Sequence, residues 1–422
     1  MNEQFLHYIW KYQKFESEAL QLTNGQVLKV FNTGNHNHDS GPDFEEARIK
    51  IDEIEWAGQV EIHINSSDWL HHKHQNDPSY ESVVLHVVWN HDKEICIDKT
   101  AIPTLELKQI VNPLLTEKYE KYIKSTDEIL CTNQINSVSP VHFSNMLDRV
   151  LIERLKEKSA SILSWLDFYT NDWEQVTYRT IAANFGFSIN KESFIRLTEL
   201  LPFTTLKKSL QNQQAAEALI FGQSGFLEDQ NDDYQRALRS EFEFLSKKFQ
   251  LKPSLSKMHW KFGKLRPANF PSVRLSQLSS LLHNQPQLFG FLVKTESIKE
   301  IKDKLAVEVS EYWQLHYDFG KRRKKQSLKM GVSSFENLLI NSVAPLLAAY
   351  AKYTSEQKYM DRAVAILESL PAERNRITKK WNPLDVNPKS AFDSQALIQL
   401  TTQYCQKRRC LHCNLGVGIL NK

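Results

Sequence analysis

Four strand-like segments lie close together near the start of the chain, and they constrain the fold more than any other feature. Three alternate apolar and polar side chains with the period of a half-buried strand, and the fourth is a nearly unbroken apolar run typical of a buried strand. They are residues 26–31, 44–51, 56–64 and 83–89. An amphipathic helix is predicted ahead of them, over residues 2–20.

The chain changes character after this stretch. From residue 144 onward, apolar residues recur at helical spacing, and one long helix is predicted over residues 298–317. The sequence therefore predicts an α+β protein. Its first part is an α/β domain over residues 1–125, and its second is a mainly α-helical domain over residues 140–422 that ends in a cysteine cluster.

Composition excludes several classes of protein. The 422 residues are 41% hydrophobic and 24% charged, as in ordinary globular chains, and the formal net charge of +3 neither demands nor excludes a nucleic-acid partner. No apolar run reaches the roughly 18 residues of a membrane span. The polar N-terminus does not resemble a signal peptide, and five cysteines do not indicate a disulfide framework. We therefore expect a cytoplasmic protein with no membrane partner.

The histidines are concentrated in the N-terminal part. Nine of the 14 lie between His7 and His91, together with the carboxylates of Asp43 and Glu61. Glu61 and His63 point to the same side of their predicted strand because side chains alternate along a strand. Carboxylates on neighbouring strands can hold a divalent cation for phosphodiester cleavage. We therefore expect the functional site in this N-terminal part of the chain.

Pro42-Asp43 followed by Glu61-Ile62-His63 resembles the PD-(D/E)xK nuclease superfamily, over roughly residues 1–110. The resemblance implies a restriction-endonuclease-like α/β domain with a mixed sheet, which hydrolyses phosphodiester bonds of DNA or RNA. It implies that Asp43 and Glu61 bind Mg²⁺ or Mn²⁺, with the carbonyl of Ile62 as a third oxygen. His63 takes the place of the lysine.

That histidine departs from the superfamily pattern. A histidine can accept a proton or bind a metal, but it is not a permanent cation like lysine. The substitution is compatible with a variant site, with a site that prefers Mn²⁺, or with an inactive relic.

Further candidates follow the strand that carries His63. His71 and His74 are three residues apart and are predicted to share a helix face, with Asp77 after them and His86 on the next strand. They could line a phosphate site, or form an unrelated histidine–metal hydrolase together with His63. The alternative is that they are exposed polar residues, with His86 hydrogen-bonded in the core. His72 is predicted to be an exposed polar residue.

Three cysteines lie near the end of the chain in a C-x4-C-x2-C pattern. Clustered thiolates in a cytosolic protein favour a metal over disulfides. Zinc is the expected metal, with an iron–sulfur cluster as the alternative, and Cys131 is the best fourth ligand. The set is Cys131, Cys405, Cys410 and Cys413. The other interpretation is three reduced cysteines on a terminal helix.

One dense basic run lies in the helical region. It would suit contacts with nucleic-acid phosphates, although a solvated helix end fits equally well. The run is Lys321, Arg322, Arg323, Lys324 and Lys325. It supports a second hypothesis, a non-catalytic nucleic-acid-binding or scaffolding protein with a degraded nuclease fold and a zinc clasp.

Short phrases spread over nearly the whole chain resemble an uncharacterised bacterial family. They are SGPDF at 40–44, VEIHINSSDW at 60–69, YESVVLHVVWN at 80–90, RPANFP at 266–271, SQAL at 394–397 and CLHC at 410–413. This resemblance implies no function.

Overall fold

The computed structural model describes residues 1–16, 20–37, 39–97, 100–229, 231–306, 308–324 and 329–421. The chain divides into two compact units. The first contains Met1–Met146 together with Leu400–Lys422, and the second contains Leu147–Gln399. Residues 400–422, which the sequence analysis assigned to the helical region, thus belong to the N-terminal unit.

A mixed sheet forms the centre of the first unit. Its strand order is β1-β2-β4-β5-β6-β9, with β3 paired to β4, and β7 and β8 form a separate hairpin. The strands are β1 (Leu20–Gln21), β2 (Val27–Asn32), β3 (Asn35–His36), β4 (Phe44–Ile51), β5 (Ile54–Asn65), β6 (Val83–Asn90), β7 (Cys96–Ile97), β8 (Thr100–Ala101) and β9 (Thr104–Glu106). The pairs from β1 to β5 are antiparallel, whereas β5–β6 and β6–β9 are parallel. The predicted mixed sheet is confirmed.

Helix α1 (Glu3–Lys11) precedes the strands, α2 (Asp68–His71) lies between β5 and β6, and α3 (Pro113–Lys124) follows β9. The Asn2 side chain caps α1 by accepting from the Phe5 N–H at 3.0 Å. Both α1 and α2 pack against β5. As a result β5 is buried on both faces at its centre, where Glu61 and His63 are only 5% and 1% exposed.

The second unit is almost entirely helical, as predicted. Its helices are α4 (Pro140–Phe168), within which the division between the units falls, α5 (Trp173–Phe185), α6 (Lys191–Leu200), α7 (Phe203–Leu206), α8 (Gln213–Gln223), α9 (Asp233–Phe249), α10 (Pro271–Asn284), α11 (Leu288–Lys294), α12 (Ile298–Leu305), α13 (Glu311–Leu315), α14 (Val332–Leu338), α15 (Ala344–Thr354), α16 (Gln357–Ser369) and α17 (Ala391–Gln399). A short hairpin joins β10 (His316–Asp318) to β11 (Lys321–Arg322). The last helix, α18 (Asn414–Leu420), belongs to the first unit.

The predicted helix over residues 298–317 is wrong. The backbone leaves the helix after Leu305, resumes it in α13 and becomes strand β10 at His316. The misleading pattern is a set of apolar residues spaced four apart, all of which are buried: Ile301, Leu305, Val309 and Trp313. An interrupted backbone can bury this set as well as a continuous helix can, because burial constrains side chains and not their hydrogen-bonding pattern.

One stretch among the described residues, Val332–Thr354, is long and apolar enough to cross a membrane. Two-thirds of it, 67%, is buried inside the fold, which is the character of a core helix. Its course includes a π-helical turn over Leu339–Val343, between α14 and α15.

Candidate metal centre

Asp43 and Glu61 meet where β4 pairs with β5. The antiparallel register sets Phe44 opposite Val60, so the residue before Phe44 lies beside the residue after Val60. The Asp43 N–H donates to Glu61 Oε2 at 3.1 Å, and the Ile62 N–H donates to Asp43 Oδ2 at 2.9 Å. These reciprocal hydrogen bonds hold the two carboxylates together. The structure thus brings together both acidic residues that the sequence predicted as metal ligands.

An irregularity in β4 follows directly after Asp43. The β4–β5 register shifts between Phe44 and Ala47, and Glu46 has a left-handed φ of 58°. Gly34 makes this bend possible, since a Cβ there would lie 2.5 Å from the Glu45 carbonyl oxygen. Bulges re-aim side chains at the edges of sites, and this one lies next to the carboxylate of Asp43.

No lysine or arginine of the described residues forms an ion pair with the two carboxylates. Burial raises the pKa of Glu61 well above its usual range, and the negative charge of Asp43 raises it further. Among the described residues, the side chains that form ion-pair contacts with these carboxylates are histidines. His7 Nε2 lies 3.3 Å from Asp43 Oδ2, and His74 Nε2 lies 3.3 Å from Glu61 Oε1. The raised pKa keeps Glu61 protonated at neutral pH, and a metal ion bound here would displace that proton.

Three imidazoles converge beside Glu61. One ring nitrogen from each of His63, His72 and His74 lies within 4.8 Å of the other two. His63 Nε2 is 3.1 Å from His72 Nδ1 and 3.5 Å from Glu61 Oε1. Ligand atoms at about 2.1 Å from one ion are separated by roughly 3–4 Å. The spacing therefore fits a single metal ion held by nitrogen and oxygen ligands.

Burial lowers the pKa of both His63 and His74, which favours their neutral forms. Burial lowers the pKa of His63 to about 2, and the neighbouring imidazole of His86 adds to the effect. Burial likewise lowers the pKa of His86 to about 3. His63 Nδ1 and His86 Nε2 are 2.9 Å apart, so His86 orients the His63 ring with Nε2 towards His72 and Glu61. A neutral imidazole offers a lone pair to a metal but lacks the permanent charge of the lysine it replaces.

The backbone after α2 determines which histidines reach the site. Lys73 adopts a left-handed conformation with φ of 64°, and a short 3₁₀ helix begins at His74. The reversal at Lys73 turns both His72 and His74 towards His63. The side chain of His71 is 73% exposed and lies 3.3 Å from Asp68. His72 is exposed, as predicted, but one of its ring nitrogens joins the cluster, whereas His71 lies outside it.

Aromatic rings hold the histidines in place. Tyr80 stacks on His74 with ring centroids 3.8 Å apart, and the fully buried Trp69 meets His74 and His86 edge-on. Buried His74 Nε2 has no hydrogen-bond partner, although it faces Glu61 at 3.3 Å. An oriented but unpaired buried nitrogen is what a metal ligand looks like without its ion. Asp77 lies outside this cluster, exposed, where it caps the next turn by accepting from the Ser79 N–H.

Helix α1 adds residues that no motif indicated. Burial raises the pKa of Glu3, and Asp43 raises it further, opposed by His72. His7, besides facing Asp43, packs edge-on against His36 with ring centroids 5.1 Å apart. The amphipathic pattern predicted the helix itself, but only tertiary packing shows that it covers the site.

A groove of about 300 Å³ begins at His7 and His36. Two exposed cations, Lys11 and Arg409, lie along it together with His412. The groove belongs to the first unit throughout and connects the surroundings of Asp43 with the C-terminal segment.

The four cysteines of the C-terminal prediction lie in this unit. Cys131 and Cys413 are buried, and Cys405 and Cys410 are half-buried. Burial raises the pKa of Cys131 to about 12, and the nearby thiols of Cys413 and Cys410 add to it. Burial also raises the pKa of Cys405, and the neighbouring thiols of Cys131, Cys413 and Cys410 raise it further. The described cysteines are neighbours, but they form no group of three sulfurs within 4.8 Å.

The basic run is partly paired within the second unit. Lys321 Nζ lies 3.1 Å from Asp318 Oδ2, and an Arg323 guanidinium N–H donates to the Trp313 carbonyl at 2.8 Å. Arg322 and Lys324 are exposed. Lys325 lies outside the described residues.

Fold and site together define a mixed α+β protein with a cluster of carboxylates and imidazoles around the buried side chains of Glu61 and His63. The chain belongs to the DUF2851 family, described as a protein of unknown function, whose family model matches residues 3–376. The expected membership of an uncharacterised family is thereby confirmed. The match includes every residue of the cluster and ends before Cys405. No curated protein and no solved structure matches the chain.

Proposed function

We propose that the protein is a metal-dependent phosphodiesterase that cleaves DNA or RNA at the cluster around Asp43 and Glu61. The observation that carries the proposal is that two carboxylates, linked by hydrogen bonds, lie beside three imidazoles. One ring nitrogen from each imidazole lies within 4.8 Å of the other two. A mixed oxygen and nitrogen ligand set suits Mn²⁺ or Zn²⁺ better than Mg²⁺, which prefers oxygen ligands.

The connectivity of the first unit supports a nuclease-like domain. Helix α1 precedes the antiparallel strands β2, β4 and β5, and a connection containing α2 leads to β6, parallel to β5. This is the order that the PD-(D/E)xK resemblance implies for residues 1–110. Glu61 lies on β5 and Asp43 directly precedes the neighbouring strand β4, which supports a site of this type.

Each side chain has a distinct part in this proposal. Glu61, His63, His72 and His74 hold the ion, with Asp43 completing the carboxylate pair. A metal ion bound here supplies an acidic water and polarises a phosphate oxygen. His7, at the mouth of the groove and oriented by Asp43, accepts the proton of the attacking water. Lys11 and Arg409 contact the phosphates of a strand in the groove, in place of the missing lysine.

A cleavage assay on the full chain tests the proposal. Protein stripped of metal is incubated with Mn²⁺, Zn²⁺ or Mg²⁺ and single- or double-stranded DNA or RNA. We expect Mn²⁺- or Zn²⁺-dependent cleavage that falls by about a thousandfold in Asp43→Ala. His71→Ala is the matched control, because His71 is a neighbouring but exposed histidine, and it should retain activity. Equal rates for Asp43→Ala and the wild type, or no cleavage under any condition, would refute the catalytic claim.

The cysteines favour a second candidate, a nucleic-acid-binding or scaffolding protein with a zinc clasp. The supporting observation is that Cys131 lies near Cys410 and Cys413, although almost 280 residues of sequence separate them. Binding of Zn²⁺ would draw the four sulfurs together and tie residues 400–422 to the N-terminal unit. An iron–sulfur cluster is the less favoured occupant.

This candidate predicts salt-dependent binding of nucleic acid without cleavage. Lys11→Glu in the groove should then weaken binding, and charge reversal at Arg322 and Lys324 tests the basic run of the second unit separately. Unchanged affinity in both variants would count against a nucleic-acid partner.

A further inference from the structure

The second unit contains a cavity of about 500 Å³ that the proposed nuclease does not use. This volume is within the roughly 300–1,000 Å³ range of small-molecule sites. The wall consists of residues from α4, α5 and the segment around the π turn, with Lys158, Asn184, Lys191, Asn337 and Asn341 as its main polar members. No carboxylate is among the described residues that line it.

Lys158 extends from α4 into the cavity wall without an anionic hydrogen-bond partner. Its ammonium group donates to Asn341 Oδ1 at 2.9 Å and to Gln395 Oε1 at 3.1 Å, both neutral amides. Glu373, a carboxylate whose charge acts on Lys158, accepts a hydrogen bond from the Gln395 amide N–H₂. A buried ammonium held only by neutral acceptors is costly unless an anion joins it.

Charged groups near Lys158 add to its need for an anionic partner. Arg154, one turn earlier on α4, donates to Gln399 Oε1 at 3.3 Å, again a neutral amide. Burial lowers the pKa of Lys158 to about 7, and the positive charges of Arg154 and Lys191 lower it further, opposed by Glu373. The charged groups that act on Lys158 are thus two cations, Arg154 and Lys191, and one carboxylate, Glu373, while Glu157 lies near Arg154. The excess of cations around Lys158 favours an anion in the cavity.

Hydrogen bonds also orient the neutral amide side chains of the cavity wall. Asn184 Nδ2 donates to Asn337 Oδ1 at 2.9 Å, which fixes both amides. Asn341 lies on the π turn Leu339–Val343, and such turns inside helices are frequent at functional sites. These amides can read the donors and acceptors of a polar ring.

An aromatic wall completes the cavity. Trp165 lines it, and the Arg179 guanidinium lies 4.8 Å from the centroid of the same indole. Ile162 and Pro345 add apolar surface. The cavity therefore combines a basic part, an amide part and a flat apolar part.

We propose that this cavity binds a small organic phosphate with a planar polar ring, that is, a nucleoside monophosphate. The phosphate lies against Lys158 and Lys191, where Lys158 gains the anionic partner it lacks. The ring packs beside Trp165 and forms hydrogen bonds with the amides of Asn184 and Asn337. This site is independent of the proposed phosphodiesterase site in the first unit.

The test measures binding by isothermal titration calorimetry to the full chain with Asp43→Ala, in chelator. That background removes the proposed nuclease centre, so this proposal and the nuclease proposal can fail separately. The probes are AMP, GMP, CMP and UMP, compared with inorganic phosphate and adenosine. We expect at least one nucleotide to bind saturably, and about tenfold more tightly than either fragment, because both halves of the cavity contribute.

Three lysine substitutions locate the site. Lys158→Met and Lys191→Met should each weaken nucleotide binding by about tenfold. Lys191 is exposed at the cavity, so its replacement tests the phosphate contact without disturbing the fold. Lys156→Met, an exposed lysine on the same helix, is the matched control and should bind like the parent protein. Absence of saturable nucleotide binding, inorganic phosphate binding as tightly as nucleotides, or equal affinity in Lys191→Met and Lys156→Met would overturn the proposal.

Discussion

The buried charges around Glu61 in the first unit are acidic, whereas those around Lys158 in the second unit are basic. Glu61 shares hydrogen bonds with the backbone and lies beside Asp43, with imidazoles as its other neighbours. Lys158 donates to two amides and lies near Arg154 and Lys191. In both places the neighbours include groups of like charge, and the raised pKa of Glu61 and the lowered pKa of Lys158 show that each environment disfavours the charged form.

This difference in sign indicates what each site requires. Burying charges of one sign costs free energy that a ligand of opposite sign recovers, and such a ligand stabilises the fold by mass action. The acidic site offers lone pairs at metal-ligand spacing, so we propose a cation as its ligand. The basic site offers N–H donors around a cavity, so we propose an anion as its ligand.

The largest effect is expected from removing a metal-facing nitrogen. His74→Ala should weaken Mn²⁺ or Zn²⁺ binding by about a hundredfold, since losing even an outer-shell partner typically costs about 10–100-fold. Titration calorimetry of the metal-free protein measures this loss. His71→Ala provides the control, and equal losses in the two variants would show that the convergence of His63, His72 and His74 does not bind metal.

The cysteine group differs from both sites, because its thiols are uncharged before any metal binds. The raised thiol pKa values of Cys131 and Cys410 mean that both are protonated at neutral pH without metal. If zinc binds, Cys131→Ser should lower the Tm by about 5–10 °C, corresponding to roughly 2–3 kcal/mol in a domain of this size. Elemental analysis should show zinc in the wild type and less in the variant.

Exposed Cys96 is the control for that experiment. Cys96→Ser should change neither the zinc content nor the Tm. A wild-type protein that is free of zinc and insensitive to chelators would leave the four thiols as ordinary buried cysteines.

A smaller effect is expected when Glu61 of the acidic site is replaced in the metal-free protein. Glu61→Gln keeps the size of the side chain and an oxygen for the Asp43 N–H, but removes the buried acid beside Asp43. The metal-free variant should melt about 2–4 °C higher than the metal-free wild type, a gain of roughly 1 kcal/mol. It should also lose the stabilisation by Mn²⁺ that the wild type shows. Thermal unfolding with and without metal measures both. A lower Tm in the metal-free variant would contradict the interpretation.

Much of the sheet could be predicted from the sequence, because period-two alternation directly reflects which side chains face the core. The segment 44–51 coincides with β4, and the segments 56–64 and 83–89 fall within β5 and β6. The same alternation predicted that Glu61 and His63 would lie on one face. Where burial did not depend on backbone period, as over residues 298–317, the pattern misled.

The histidines show the limit of the sequence pattern at the site. The spacing of His71 and His74 predicted a shared helix face, but α2 ends at His71 and Lys73 takes a left-handed conformation. Helical periodicity does not extend across such a reversal, so His72 replaced His71. His7 was missed for a different reason, because its proximity to Asp43 arises from packing of α1 on the sheet.

The smallest effect concerns the pH dependence of the basic site. The pKa of Lys158 is lowered to about 7 in the folded protein from its usual 10.5, so between these values the unfolded chain binds more protons than the folded chain. Lys158 therefore destabilises the fold most below about pH 7, and this cost disappears as the pH rises towards 10.5. Lys158→Met should melt roughly 2 °C higher than the wild type at pH 6, with the difference narrowing by pH 9.5. Lys156→Met should show no such trend. A pH-independent difference would mean that packing, and not the buried charge, distinguishes Lys158, and the basic half of the comparison would then lose its physical foundation.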